Sequence, residues 1–262
     1  MKAATSQRVS LIWTVLIVAM LFMPILSVIL ASLANTRYFR FPSPNWGLGA
    51  YHDVLGQFQT YDLHLTSFLI AALVALLSTL IAAAGALAFA RVEWRGRGLF
   101  QKLILLPVFF PQAVLGLALL VFFSSIGISP SWKLTVFAHL VLIAPMVTLL
   151  VSITLFGFDP LQEEAALDLG ASRRQAFWHV TLPVMMPGLM SGALFAFLLS
   201  WSNLPLSIYT SGSDTTLPEW LYSRTATNYS PAIPAISVLS MGVTLVIAAV
   251  ALAGLRLFRK RA

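Results

Sequence analysis

The chain has 262 residues, 59% hydrophobic and 10% charged, with a mean hydropathy of +0.88. Soluble domains carry about a quarter charged residues, so this composition excludes an ordinary soluble domain and indicates a membrane protein. The absence of cysteine excludes disulfides, thiol nucleophiles and thiolate metal sites, and the net charge of +7 has to be placed along the chain before it is read as a nucleic-acid surface.

Six apolar runs follow one another, at about 11–33, 65–90, 103–126, 134–156, 189–209 and 233–255. Each is close to or above the roughly 20 residues that a helix needs to cross the hydrocarbon core, and none contains Asp, Glu, Lys or Arg. The first follows Lys2 and Arg8 and ends at Ser32-Leu33-Ala34, which loosely resembles a signal cleavage site. A signal-peptide core is only about 7–15 residues, so this run reads as a retained span. After it, FPSPNWGLGAYHDVLG carries turn chemistry at Pro42, Pro44, Gly47 and Gly49. The expected outer loops are about 34–64, 127–133 and 210–232, and the inner loops about 91–102 and 157–188.

With the N-terminus in the cytoplasm, twelve of the sixteen basic residues fall on the cytoplasmic side. They are Lys2, Arg8, Arg91, Arg95, Arg97, Lys102, Arg173, Arg174, Arg256, Arg259, Lys260 and Arg261, against Arg37, Arg40, Lys133 and Arg224 outside. This is the positive-inside pattern. The basic balance therefore records topology, and no basic surface with interleaved aromatics is left for nucleic acid. We expect an all-α, multi-pass membrane protein of six transmembrane helices, with both termini cytoplasmic and one domain over 1–262. Trp13, Trp132, Tyr209 and Phe258 sit near span ends as interfacial anchors in contact with lipid.

Prolines at 24, 107, 111, 145 and 205 are expected to kink their spans and free backbone groups toward protein or a water-filled cavity. The spans hold no carboxylate, Lys or Arg, and His139 is the single candidate for a proton relay. Alone, it reads as a helix–helix hydrogen-bonding residue. No GxxxxGK[ST] phosphate loop is present, and no His or carboxylate cluster suggests a catalytic or metal site. If the chain transports a solute, the driving energy comes from elsewhere.

The inner loop 157–188 holds EEAALDLGASRRQAFWHVTLP, Glu163 to Pro183. Asp159, Pro160 and Gln162 form a capping-box pattern that predicts a helix to about Leu169, with Gly170 in the left-handed position after it. Ser172 and Gln175 repeat the cap, and the second helix is expected to end before Pro183, with Pro187 at the entry to the fifth span. On the first helix Leu161, Ala165 and Leu169 share one stripe, Glu164 and Asp168 form an acidic stripe beside it, and Ala165 and Ala166 permit close approach. An acidic helix is repelled by anionic headgroups, and a helix this short buries little within its own chain. It reads as a helix made to dock in a partner's groove.

The fifth run contains LLSWSNLPLSIY. Ser200, Trp201, Ser202, Asn203 and Pro205 are candidate substrate-path residues. Asn203 lies about two-thirds of the way across at about 1.5 Å rise per residue, too deep for an interfacial anchor. Helix–helix hydrogen bonding and solute contact both remain open for it.

Glu164-Ala165-Ala166, three residues, Gly170, nine residues, then Val180-Thr181-Leu182-Pro183 resembles the EAA loop of bacterial ABC importer permeases. Val180 stands where isoleucine is commoner. Arg95-Gly96-Arg97-Gly98 before LLPVFFPQAVLG, and FPSPNWGLGAYHDVL after the first span, resemble the spermidine/putrescine branch. The resemblance implies a type I six-helix permease fold in the bacterial inner membrane and no enzymatic activity in this chain. It implies no cofactor here, ATP being used by a cytoplasmic ABC ATPase dimer. It also implies a second, paralogous permease and an extracytoplasmic solute-binding protein. The ATPase-coupling positions carried over are Glu164, Ala165, Ala166 and Gly170, with Leu161, Leu169, Leu182 and Pro183 around them. In the polyamine branch the fifth-span stretch tends to read LSFDD, whereas Ser202 and Asn203 stand in the carboxylate places here. Iron(III) chelates, phosphonates and thiamine, solutes of other relatives, therefore stay open. A scaffold without a solute path is the rival from another class, and it gives no reason for the EAA spacing.

Overall fold

Most of each long apolar run becomes helix, because a chain in lipid has to satisfy its backbone groups internally. The computed structural model describes residues 2–34, 36 and 41–259. Arg37, Arg40, Lys260 and Arg261 lie outside the described residues, as do the side chains of Lys2, Arg8, Phe258 and Arg259. The helices are α1 (Lys2–Leu33), α2 (Gly49–Leu55), α3 (Phe58–Ala90), α4 (Arg97–Leu103), α5 (Leu106–Phe109), α6 (Gln112–Ser125) and α7 (Trp132–Phe156). They continue with α8 (Leu161–Asp168), α9 (Arg173–Ala176), a π turn (Phe177–Thr181), α10 (Leu182–Trp201), α11 (Ser207–Thr210), α12 (Leu217–Thr227) and α13 (Ala232–Arg259). Among the described residues there is no strand, only the bridge Ala34–Trp46.

Five helices are long and apolar enough to cross a membrane, and a sixth span forms if the bent pair Arg97–Phe109 and Gln112–Ser125 is taken as one. That pair corrects the expected continuous third span: the two halves meet at about 100°. Phe110 is extended (φ −78°, ψ 140°) because the ring of Pro111 disfavours the helical region for the residue before it. The fifth span also departs from its expected bounds of 189–209. Its helix begins well before 189, stops at Trp201, and gives way at 202–206 to a non-helical stretch before the short α11.

The chain divides into two compact units. The first comprises Met1–Asp62 and Leu221–Val243. Within it, α1 leaves Leu16, Met20 and Met23 exposed, as a helix facing lipid would. The chain then turns back, Gly47 N–H donating to Leu33 O at 2.8 Å. Ser32 Oγ and Tyr51 Oη lie 2.7 Å apart and hold α2 to the end of α1.

The second unit comprises Leu63–Trp220 and Thr244–Ala262. Its core is α7, buried along most of its length, packed between α3 and α10 through Val74, Ala82, Ile143, Val151, Met185 and Ala196. Small residues let the backbones approach, as is usual where helices pack without a water-driven force. A Cβ on Gly192 would lie 2.8 Å from Val147 Cγ1, and one on Gly188 would lie 2.7 Å from Thr154 Cγ2. The C-terminal carbonyls of α3 are capped by the next segment: Arg97 Nε donates to Phe89 O at 3.2 Å, and Trp94 Nε1 to Ala88 O at 3.1 Å. A cation at a helix C-terminus also complements the helix dipole.

Candidate functional site

The segment between α7 and α10 folds as a helical hairpin, and its local chemistry explains its shape. The Asp159 carboxylate accepts from Leu161 N–H at 3.0 Å, but α8 begins at Leu161 with Pro160 in the N-cap position, so the expected capping box with Gln162 does not form. At the other end Gly170 has φ +89°. Ala171 N–H donates to Ala166 O at 3.0 Å, and Gly170 N–H to Leu167 O at 2.9 Å. These two bonds make a Schellman motif, which requires the left-handed residue that glycine supplies. Ser172 and Gln175 close the expected capping box, Gln175 N–H reaching Ser172 Oγ at 3.3 Å and Ser172 N–H reaching Gln175 Oε1 at 2.8 Å.

The second helix does not end before Pro183. It runs through the π turn into α10, so that Arg173–Trp201 is continuous and both Pro183 and Pro187 lie inside it. Pro183 falls just after the π turn, in the first turn of α10. Proline has no N–H to offer the preceding turn, and the wider i→i+5 pattern is one way a helix absorbs that loss.

The hairpin presents an unpartnered face. Leu161 is 64% exposed and Leu169 90%, with Glu164, Ala165, Asp168 and Gly170 exposed beside them. Ala166 is half-buried against a hollow of about 380 Å³ shared with Ala171, Gln175 and Val180. Leu182 packs on the core and Pro183 is half-buried, so these two sit at the root of α10, away from the exposed face. Glu163 turns inward: it pairs with Arg91, just beyond α3, and accepts from the Thr181 hydroxyl. Sequence reading named Glu163 only as part of the acidic run and assigned Thr181 no role. A buried threonine beside an inward carboxylate becomes visible only once the hairpin has folded.

The second candidate region is the break after α10. Asn203 is 7% exposed. Its Nδ2 donates to Gln112 Oε1 at 3.1 Å and its Oδ1 accepts from Leu206 N–H at 3.0 Å. Asn203 therefore joins the start of α6 to the break and caps the turn into α11. Ser200 Oγ lies 2.8 Å from His139 Nδ1, and Ser207 Oγ lies 3.2 Å from His139 Nε2 while donating to Asn203 O at 2.7 Å. One buried imidazole thus ties α7 to both sides of the break, and the buried polar groups of this cluster satisfy one another. Trp201 is buried and stacked on Phe197, whereas Ser202 and Pro205 are exposed. α6 lies so close that a Cβ on Gly116 would be 3.1 Å from Pro205 O. Gln112 was missed in sequence, although a glutamine directly after Pro111 in an apolar run is a signal that a polar partner is needed. Among the described residues no group of His, Asp or Glu is placed to hold a metal.

Comparison with known proteins places this architecture. The family described as binding-protein-dependent transport system inner membrane component matches residues 75–261. The chain is 31% identical over 232 residues to the putrescine transport system permease protein PotI of Escherichia coli, spanning 85% of this chain and 82% of that protein. It is 29% identical over 231 residues to the spermidine/putrescine transport system permease protein PotC of Haemophilus influenzae, spanning 87% and 88%. Its fold matches a chain of a bacterial ABC transporter involved in the import of the acidic polysaccharide alginate, with TM-score 0.73 at 16% identity over 94% of this chain and 95% of that one. It also matches the MetNI methionine ABC transporter, with TM-score 0.62 at 15% identity over 76% and 94%. The all-helical architecture with its broken third span is the type I permease fold, and the chain belongs to the inner-membrane components of binding-protein-dependent transport systems, as a permease subunit of an ABC importer.

Proposed function

We propose that this permease forms the solute path of an ATP-driven importer of small polyamines such as putrescine and spermidine. The observation that carries the coupling role is the exposed stripe Leu161, Ala165 and Leu169, with Glu164 beside it, on a helix rigidly terminated at Gly170. An apolar stripe left open on a short, well-capped helix is what a groove-binding element requires. The occupied groove would belong to a cytoplasmic ATPase dimer that spends the ATP, this chain binding no cofactor of its own. A paralogous second permease would complete the path, and an extracytoplasmic binding protein would deliver the solute. Both termini and the hairpin then face the cytoplasm, in keeping with the distribution of Lys and Arg, and the whole chain acts as one permease domain.

The polyamine class is supported by the names of the PotI and PotC relatives. A second reading, a neutral or anionic solute such as a phosphonate, an iron(III) chelate or thiamine, is favoured by Ser202 and Asn203, which bring no carboxylate to the break. Gentle extraction of the tagged chain from its native membrane, with mass spectrometry of what comes with it, tests the assembly. An ATPase and a second permease are expected, and a folded chain that emerges alone refutes the proposal. Titrating the associated binding protein with putrescine, spermidine, a phosphonate, ferric citrate and thiamine then decides the solute.

A further inference from the structure

A single carboxylate joins three parts of the chain that are remote in sequence. The Arg91 guanidinium, just past the end of α3, pairs with Glu163 Oε2, the two side chains being 15% and 31% exposed. The same guanidinium donates from Nη1 to Phe158 O at 3.5 Å and lies 4.7 Å from the centroid of the Phe158 ring. The other oxygen of Glu163 accepts from Thr181 Oγ1, 1% exposed in the π turn that leads into α10. An ion pair withdrawn from water in this way differs from a surface pair. Removing one partner leaves a charge with poor solvation, and the added hydrogen bonds fix its geometry.

The placement of this cluster on α8 gives it meaning. Successive residues on a helix point about 100° apart, so Glu163 faces the spans while Glu164 faces outward. With Leu161 and Leu169 largely exposed on the outer side, α8 has few apolar anchors of its own. Without a fixed attachment, a push on its outer face would be taken up by rotation of the connections at Asp159 and Gly170.

We infer that Arg91, Glu163 and Thr181 form a latch that makes α8 move as one body with the ends of α3 and α10. Displacement of the hairpin is then delivered to two spans at once. All three are positioning residues: none touches solute or nucleotide. This rests on the proposed role of α8 as the docking helix, and it adds the route by which docking reaches the spans.

The chain has no cysteine, so spin labels at Val92→Cys and Gln162→Cys report the α3–α8 distance in the assembled transporter with no native cysteine of this chain to remove first. The expected result is one narrow distance, the same in the nucleotide-free and the ATP–vanadate-trapped states. Glu163→Gln and Arg91→Gln should at least double the width of the distribution while the ATPase still co-purifies at the parental ratio. The exchanged pair Arg91→Glu with Glu163→Arg should restore the narrow distance, which a general folding defect would not allow. A parental width in both single variants overturns the latch, as does a distance that changes between nucleotide states in the parent. The docking reading is judged separately. A Glu164→Lys chain that retains its ATPase at the parental ratio defeats it, whatever the labels show.

Discussion

Replacing Gly188 by alanine should destabilise the permease, although the same change in an exposed helix would stabilise it. In a helix interior alanine gains about 0.8–1 kcal/mol over glycine. Here the new Cβ would lie 2.7 Å from Thr154 Cγ2 and 3.0 Å from Thr154 Oγ1. Carbon atoms settle near about 3.5–4.0 Å, so one side has to yield by close to an ångström. The threonine does not yield freely, because its hydroxyl donates to Val151 O at 2.7 Å and α7 is held on several sides. Overpacking of this kind costs about 1–3 kcal/mol, and turning the hydroxyl away gives up a further bond worth about 0.5–1.5 kcal/mol. The net expectation is a loss of about 1–2 kcal/mol, or roughly 2–8 °C in thermal midpoint on the scale of domains of 150–250 residues. Thermal unfolding in detergent, followed by intrinsic fluorescence, measures it. Thr154→Ala deletes both clashing atoms, and the next neighbour, Val151 Cα at 3.4 Å, is an ordinary contact. The double variant Gly188→Ala with Thr154→Ala should therefore be more stable than the sum of the two single effects. Strict additivity, or a Gly188→Ala chain as stable as its parent, would refute the close-approach account of how α7 and α10 pack.

Gly170→Ala should leave membrane insertion intact and open the hairpin, since a side chain in the left-handed region costs about 1–2 kcal/mol whatever space surrounds it. Faster trypsin cleavage at Arg173–Arg174 in inverted vesicles reads this directly, and a parental rate would show that the Schellman turn tolerates alanine. Asn203→Leu should cost about 1–3 kcal/mol by leaving Gln112 and Leu206 N–H without their partner, measured again by thermal unfolding. An unchanged midpoint would mean that the break is held by other contacts. Asn203→Asp should raise uptake of putrescine relative to a neutral solute if the break lines the path, and an unaltered ratio would assign Asn203 to packing alone.

Different features of this chain were legible in sequence to different degrees. The spans could be read because length and the lack of charge are properties of a contiguous run, which the bilayer selects directly. The Ser172–Gln175 cap and the left-handed Gly170 could be read because each is decided within about five residues. The prolines show the limit. Pro111 breaks its span through 100°, while Pro145 and Pro187 sit inside continuous helices. The local chemistry is the same in all three. The outcome depends on whether neighbouring helices hold the chain straight and satisfy what proline leaves unpaired, and that is a property of packing. Pro183 was misjudged for the same reason, since the π turn that accommodates it has no marked sequence signature. Arg91 and Glu163 lie 72 residues apart, so no local pattern links them. Asn203 was recognised as too polar for its depth, but its partner Gln112 sits on another helix and could be found only in three dimensions.

The π turn has a mechanical consequence. Because it carries the helix past Pro183 without interruption, α9 and α10 form one rod from Arg173 to Trp201, 29 residues and about 43 Å long at 1.5 Å per residue. Tilting such a rod by about 5° about one end sweeps the other through about 4 Å, more than the length of a hydrogen bond. One end carries the hairpin and the other carries the break held by Asn203, Ser200 and His139. A small rotation at the first is thus a large lateral stroke at the second, where the hydrogen bonds of the break have to let go or move together.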